Sequence, residues 1–375
     1  MASVIYTEYL EKKKSRSDCE NINKHSQFIF LCTSTCEFIC YLSFAKKIFM
    51  SFLTLPIIDL KDDETTIIRS IFHACSTTGF FYLRNHSLLA AQESMLSLSK
   101  QYFHLPIEIK KKHLINNENF GYVELGEENL DSKKVEQMDV KESFNFKKVL
   151  SPDELPSLFA ESDNFQLITS FHRSCYELCM QLLTYLAKSF EIDDDYFTSK
   201  HRWETETGEI LRIIHYPSVK KQGESVRSTI RTGAHSDYGS ISLLFQHEHV
   251  SGLEILDRSN NIWYPVVAHD DMIVVNFGDA CEYWSKGLIR SIVHRVSMLE
   301  TDGEENRERY SMVYFAHPTL SALLTPIPSK IIADRRFEKD EHAKHALDHN
   351  NEKELTAGEH LFMRLKKTHI LFQEN

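Results

Sequence analysis

The triplet His235-Ser236-Asp237 and a distant histidine, His294, in the phrase Ser291-Ile-Val-His-Arg-Val296 set the hardest condition this chain must meet. In an extended strand, residues two apart point to the same side, so His235 and Asp237 can face one centre. A third group must then come back to that centre from a separate strand. Two imidazoles and one carboxylate form the facial ligand set that holds non-haem Fe(II) and leaves the opposite coordination positions open. A fold that serves this set must return the chain to one point through several strands.

A His-x-Asp triplet can arise by chance in a chain with 19 His and 54 acidic residues, so its surroundings decide its meaning. After it come Tyr238-Gly-Ser-Ile-Ser-Leu-Leu-Phe245, Ser251-Gly-Leu-Glu-Ile255, Trp263-Tyr-Pro-Val266 and Ile273-Val-Val-Asn-Phe-Gly-Asp279. Tyr283-Trp-Ser-Lys-Gly287, the His294 phrase, Arg309-Tyr-Ser311 and Met312-Val-Tyr-Phe-Ala-His-Pro318 follow. Upstream stand Leu55-Pro-Ile-Ile-Asp-Leu60, Thr78-Gly-Phe-Phe-Tyr-Leu-Arg-Asn-His86 and Tyr102-Phe-His-Leu-Pro-Ile-Glu-Ile-Lys110. In this order the segments resemble the Fe(II)- and 2-oxoglutarate-dependent dioxygenase superfamily, in its isopenicillin-N-synthase-like branch. The resemblance runs from about Leu55 to Pro318, with a weaker tail to Thr368.

That resemblance implies a mainly β fold with flanking helices, around a double-stranded β-helix (distorted jelly-roll) core. It assigns His235, Asp237 and His294 as metal ligands and Arg309 and Ser311 as holders of the distal carboxylate of 2-oxoglutarate. Arg309 and Ser311 alternate along a strand and share one face, and a guanidinium fork matches a carboxylate bidentately. A surface ion pair of Arg309 with Glu304, Glu305 or Glu308 is the ordinary alternative, and Arg307 is a neighbouring candidate without a Ser two positions on. Tyr216 matches a family tyrosine that reaches the same carboxylate, although Ile214 stands where the plant pattern has Asn. The implied cofactors are Fe(II), 2-oxoglutarate as cosubstrate and O2. The implied reaction is oxidation of a small molecule, in most cases hydroxylation, with release of succinate and CO2. An oxidase of the same fold that uses no 2-oxoglutarate, a catalytically silent binding protein and a zinc hydrolase are the competing readings. The last has no evident general-base Glu after the His frame.

A hydrophobic content of 42% is ordinary for a chain that buries a core, and the net charge of −11 argues against nucleic acid or an anionic membrane as main partner. A small-molecule substrate and a monomer are the expectation. The eight Cys do not read as a disulfide scaffold, Cys175 and Cys179 falling inside an apolar helical pattern, and an Fe(II) site favours a reducing compartment, so the cytoplasm is expected. Residues 1–49 read as an N-terminal extension outside the resemblance, with Met50 the leading candidate for the start of the domain. The apolar run from Phe28 to Phe44 carries Glu37 near its middle, which argues against a membrane span. The remaining divisions are an N-terminal dioxygenase region over 50–160, a jelly-roll catalytic core over 161–320 and a C-terminal helical tail over 321–375.

Periodicity predicts a helix capped by Asp62 or Asp63 through Ile67, Ile71 and Phe72, ended by Gly79. It predicts further helices over Leu88–Phe103, Phe165–Phe190 and Ala357–Lys367, and a first core strand over Glu209–Pro217. The polar stretch from Asn116 to Lys148 reads as a loop over the site's mouth. Asn276, Gly278 and Asp279 read as turn chemistry. Trp284 is expected to line the barrel or cap its mouth, and Phe120, Tyr122, Phe144 and Phe315 are candidates for the substrate pocket.

Overall fold

In the computed structural model, which describes residues 54–131, 138–218, 230–247, 252–297, 308–336 and 354–368, the chain places two sheets face to face and packs helices outside one of them. The first core strand, β5 (Ile210–Tyr216), lies where its pattern predicts and is buried along its whole length. It pairs antiparallel with β12 (Arg309–Ala316) on one side and β4 (Glu142–Phe146) on the other. With β1 (Ile57–Asp59), β2 (Phe80–Arg84), β3 (Gly121–Val123), β7 (Ile241–Gln246) and β10 (Met272–Phe277) these form an eight-stranded sheet in the order β1-β2-β10-β7-β12-β5-β4-β3. A smaller sheet runs β6-β11-β8-β9, from β6 (Ile230–His235), β8 (Leu253–Asp257), β9 (Ile262–Pro265) and β11 (His294–Ser297). The chain crosses from the small sheet to the large one between β6 and β7.

Strand alternation separates two kinds of interior. Leu211 and Ile213 of β5, Leu243 and Phe245 of β7, and Tyr310, Met312 and Tyr314 of β12 join the main apolar core with the helices. That core includes α1 (Glu64–Ser76), α2 (Leu89–Phe103) and α3 (Ser162–Ser189). On the opposite faces, Ile214, Tyr216, Val296 and Val313 form a separate cluster between the sheets. Arg309 and Ser311 share that inner face by the same alternation.

The predicted helices are present. Asp63 caps α1 by accepting from the Thr66 N–H at 3.1 Å. The predicted face of α3, Phe171, Cys175, Leu178, Leu182 and Leu186, is buried, and both cysteines are free thiols. The tail helix, α5, runs Ala357–Thr368, after a short helix α4 (Asp279–Trp284). Among the described residues no helix is long and apolar enough to cross a membrane. The expectations for residues 1–49 lie outside the described residues.

Three readings are corrected. The stretch from Asn116 to Lys148 is not simply a loop, because it contributes β3 and the fully buried β4. Its polar residues find partners inside and outside the stretch: Glu142 accepts from Lys110, Tyr122 and His215, and Lys141 pairs with Asp139 and Glu128. Trp284 neither lines the barrel nor caps its mouth. It is fully buried, packs on Phe197 and donates its indole N–H to the Leu323 carbonyl at 3.0 Å. Phe120, Tyr122 and Phe144 belong to the main core, where bulky aromatics fill the space between α2 and the sheet.

Beneath α3, Glu209 and His172 face one another at 3.9 Å, both nearly inaccessible. Burial outweighs the cations of Lys148 and Arg173 and the Thr207 hydrogen bond, and pushes the Glu209 carboxyl up to about 7. A carboxyl raised in the folded state gives stability that is complete below its unfolded range and is lost as pH rises through about 7. Glu209→Gln should therefore stabilise the protein at pH 8 by ~1–3 kcal/mol, a few degrees in Tm, and do little near pH 4.5. Thermal melts of both proteins across this range check the sign; an equal effect at all pH values would contradict it.

Candidate metal centre and cosubstrate pocket

The three predicted ligands meet at the seam between the sheets. His235 is the last residue of β6, His294 the first of β11, and the two stand opposite each other in the antiparallel ladder. Asp237 sits in the crossover to β7. Ligand atoms of the three lie within 4.8 Å of one another. The Asp237 Oδ1 is 3.9 Å from His235 Nε2 and 3.7 Å from His294 Nε2, too far for hydrogen bonds.

The surrounding donors and acceptors orient this set. His235 Nδ1 lies 2.8 Å from the Gly233 carbonyl and His294 Nδ1 3.0 Å from that of Ile292. A carbonyl can only accept, so both Nδ1 atoms carry the proton and both Nε2 lone pairs point to the centre. The other Asp237 oxygen, Oδ2, accepts from Ser242 Oγ and from Asn276 Nδ2, each at 2.6 Å. Burial would raise Asp237, but the His294 and His235 rings and these two donors hold it below the usual carboxylate range. Burial and then the neighbouring His294 ring drive His235 down to about 3, so it is neutral. Two imidazole nitrogens and one carboxylate oxygen thus converge on one point, a donor set that fits a divalent cation.

Asn276, read from the sequence as turn chemistry, is therefore a buttress of the candidate ligand Asp237. Gly278 is required by close approach, since a Cβ there would stand 2.9 Å from the Asp237 carbonyl oxygen. Asp279 donates its backbone N–H to that same carbonyl at 2.8 Å, and its carboxylate takes Ser291 Oγ at 2.8 Å. Arg364 of α5 pairs with Asp279 and also donates to the Ser236 carbonyl at 3.1 Å. Nothing in local sequence pattern marks Arg364, which lies 128 positions from Ser236.

At the other end of the inner face stand the residues expected to hold the cosubstrate. Arg309 is 3% exposed. Its guanidinium reaches Ser311 Oγ at 3.2 Å and Gln246 Oε1 at 2.9 Å, and stacks 4.8 Å from the Tyr216 ring. It meets no carboxylate among the described residues. Glu308 engages Tyr310 and His215 instead, and Arg307, Glu304 and Glu305 lie outside the described residues. Arg231, also buried, stands near enough for the two cations to repel. Arg309 Nε, Arg231 Nε and Gln246 Nε2 are buried donors without acceptors among the described residues. A surplus of donors and positive charge in a dry site is what an acceptor-only anion, a carboxylate, would satisfy. His215, next to Tyr216 along the strand, faces the other way, on Glu142 at 2.8 Å.

A cavity opens beside His235 and Asp237, walled by Phe315, Ile210, Leu130, Leu361 and Leu365, with Arg212, Asn119, Tyr238 and His317 among its polar side chains. Of the four aromatic candidates, only Phe315 lines it.

Comparison with known proteins agrees with this arrangement. Residues 55–165 match the model of the non-haem dioxygenase N-terminal region named for morphine synthesis, and residues 207–318 match that of the 2OG-Fe(II) oxygenase superfamily. UPF0676 protein C1494.01 of Schizosaccharomyces pombe is 33% identical, over 74% of this chain and 86% of its own. The proline hydroxylase buaE of Petromyces alliaceus is 32% identical, over 70% of this chain and 86% of its own. The crystal structure of Neurospora crassa T7H with alpha-KG and thymine superposes with a TM-score of 0.68 at 27% identity, covering 84% of this chain and 96% of that one. The chain belongs to the 2OG-Fe(II) oxygenase superfamily and is an Fe(II)- and 2-oxoglutarate-dependent dioxygenase.

Proposed function

We propose that this enzyme hydroxylates a small ring-bearing metabolite, with Fe(II) held by His235, Asp237 and His294 and the distal carboxylate of 2-oxoglutarate held by Arg309, Ser311 and Tyr216. The observation that carries the assignment is the pairing of three convergent ligand atoms with a buried cluster of donors that find no acceptor among the described residues. Bound there, Fe(II) with 2-oxoglutarate and O2 supplies the oxidising power that breaks a substrate C–H bond, with succinate and CO2 released. The chain's own residues do the rest. The Gly233 and Ile292 carbonyls fix the imidazole tautomers, and Ser242 and Asn276 reserve one Asp237 oxygen for the cation. Arg309 neutralises the far end of the cosubstrate, with Arg231 and Gln246 adding donors. The apolar walls of the cavity exclude water from the reacting carbon.

The substrate class follows from the same cavity. Phe315 offers a ring face, and Arg212, Asn119 and His317 offer polar groups among apolar walls. This favours a flat heterocycle or amino-acid-derived ring with carbonyl acceptors over a long alkyl chain. The T7H neighbour binds thymine, and one relative is named a proline hydroxylase. An oxidase that needs no 2-oxoglutarate has less support, because Arg309, Arg231 and Gln246 do not line the substrate cavity. The four free, buried thiols Cys75, Cys175, Cys179 and Cys281 support a reducing, cytoplasmic setting.

Three outcomes test these roles. His294→Ala should lose Fe(II) binding in equilibrium dialysis, and full occupancy would refute the ligand set. Arg309→Ala should keep the metal yet weaken 2-oxoglutarate binding at least ~10-fold, since a buried charge-assisted bidentate contact is worth ~1.5–3 kcal/mol or more. The visible charge-transfer band of the anaerobic Fe(II) protein reads that loss. Ser311→Ala should do less, and no band with the native protein at millimolar 2-oxoglutarate would favour the oxidase or the silent scaffold. Asn276→Ala should lower metal affinity ~10-fold or more, as removal of an outer-shell partner does, with its Fe(II) titration midpoint as the check.

A further inference from the structure

We infer that Arg364 of the C-terminal helix α5 is a positioning residue for the metal ligands, and that α5 links the wall of the substrate cavity to the ligand turn. The inference rests on the metal reading above. Ser236 lies between two ligands, and its carbonyl belongs to the peptide plane that leads into Asp237. Arg364 donates one guanidinium nitrogen to that carbonyl at 3.1 Å and the other to the Asp279 carboxylate. Asp279 in turn donates its N–H to the Asp237 carbonyl at 2.8 Å. The peptides on both sides of Asp237 are thus held by two residues that are ion-paired to each other. The same carboxylate takes Ser291 Oγ, three positions before His294, and lies 3.4 Å from His360 Nε2. One buried pair therefore touches the approaches to two ligands.

The register of α5 divides these tasks. His360, Arg364 and Thr368 recur every four residues and share one stripe. Arg364 holds Ser236 and stacks 4.3 Å over the Tyr238 ring, and Thr368 Oγ1 accepts from the Tyr238 hydroxyl at 3.1 Å. Every second residue of the turn is thereby read by the helix. Leu361 and Leu365, the neighbouring stripe, line the cavity beside His235 and Asp237. Phe362 and Met363 point away and are half exposed. A substrate pressing on Leu361 and Leu365 presses on the element that fixes the Ser236–Tyr238 backbone. A helix that served only as a lid would need the leucines but not a guanidinium fork on the ligand turn.

The test uses the full chain, anaerobic Co(II) as probe and no turnover. Arg364→Lys keeps the positive charge beside Asp279 but cannot fork to the Ser236 carbonyl as well; Arg364→Met removes both contacts. If Arg364 positions the ligands, Co(II) binding read from its visible absorption should weaken at least ~10-fold in Arg364→Lys, with melting close to native. Hydrogen exchange at residues 236–239 should quicken in the same variant. Arg364→Met should weaken binding further, and if it does not fold the lysine variant decides alone. Native Co(II) affinity and native exchange in a folded Arg364→Lys protein would overturn the inference. So would failure of that variant to fold, since the contact would then serve stability at large. His294→Ala is the control: if it binds Co(II) as the native protein does, the metal reading itself falls.

Discussion

The ladder pairing of His235 with His294 is the constraint on which the rest of the site depends. Side chains alternate along a strand, so a slip of one residue in that register would turn one imidazole away from the other. The pairing also fixes the place of Asp237, which follows His235 by two residues in the crossover between the sheets. The ligands therefore sit where the chain leaves one sheet for the other, and such a crossover has free backbone groups that must be satisfied. Asp279 and Arg364 satisfy the ones flanking Asp237. Ligand geometry and backbone accounting are solved there by the same residues.

The large sheet carries its chemistry on the inside. Outward residues of β5, β7 and β12 pack on α2 and α3, whereas inward ones include Tyr216, Gln246, Arg309 and Ser311. A buried guanidinium without a carboxylate is costly in any fold. Arg309 lies beside Arg231 with donors on both that are unpartnered among the described residues, a cost that an anionic ligand would offset.

Much of this was legible in the sequence. The His-x-Asp triplet, the distal His294 and the Arg309-x-Ser311 pair are local signals whose spacing maps directly onto strand alternation. The long helix α3 was legible for the same reason, through Phe171, Cys175, Leu178, Leu182 and Leu186. What was not legible depends on contacts across the fold. Glu142 and Asn145 look like loop residues because their partners, among them Lys110, His215 and Arg212, lie far away along the chain. Asn276 resembles turn chemistry until Asp237 is seen 2.6 Å from it. Arg364 sits on a charged tail helix whose polar faces look alike from sequence.

The most direct test of the account is a crystal structure of the anaerobic protein with Mn(II), as a redox-silent substitute, and 2-oxoglutarate. The account predicts one metal at ~2.0–2.2 Å from His235 Nε2, Asp237 Oδ1 and His294 Nε2, a distance typical of first-row divalent ions with such ligands. It also predicts the distal carboxylate of the cosubstrate on Arg309 and Ser311, with Arg231 or Gln246 among its donors. A metal bound elsewhere, or a cosubstrate carboxylate seated on Arg212 in the cavity instead of on Arg309, would contradict it.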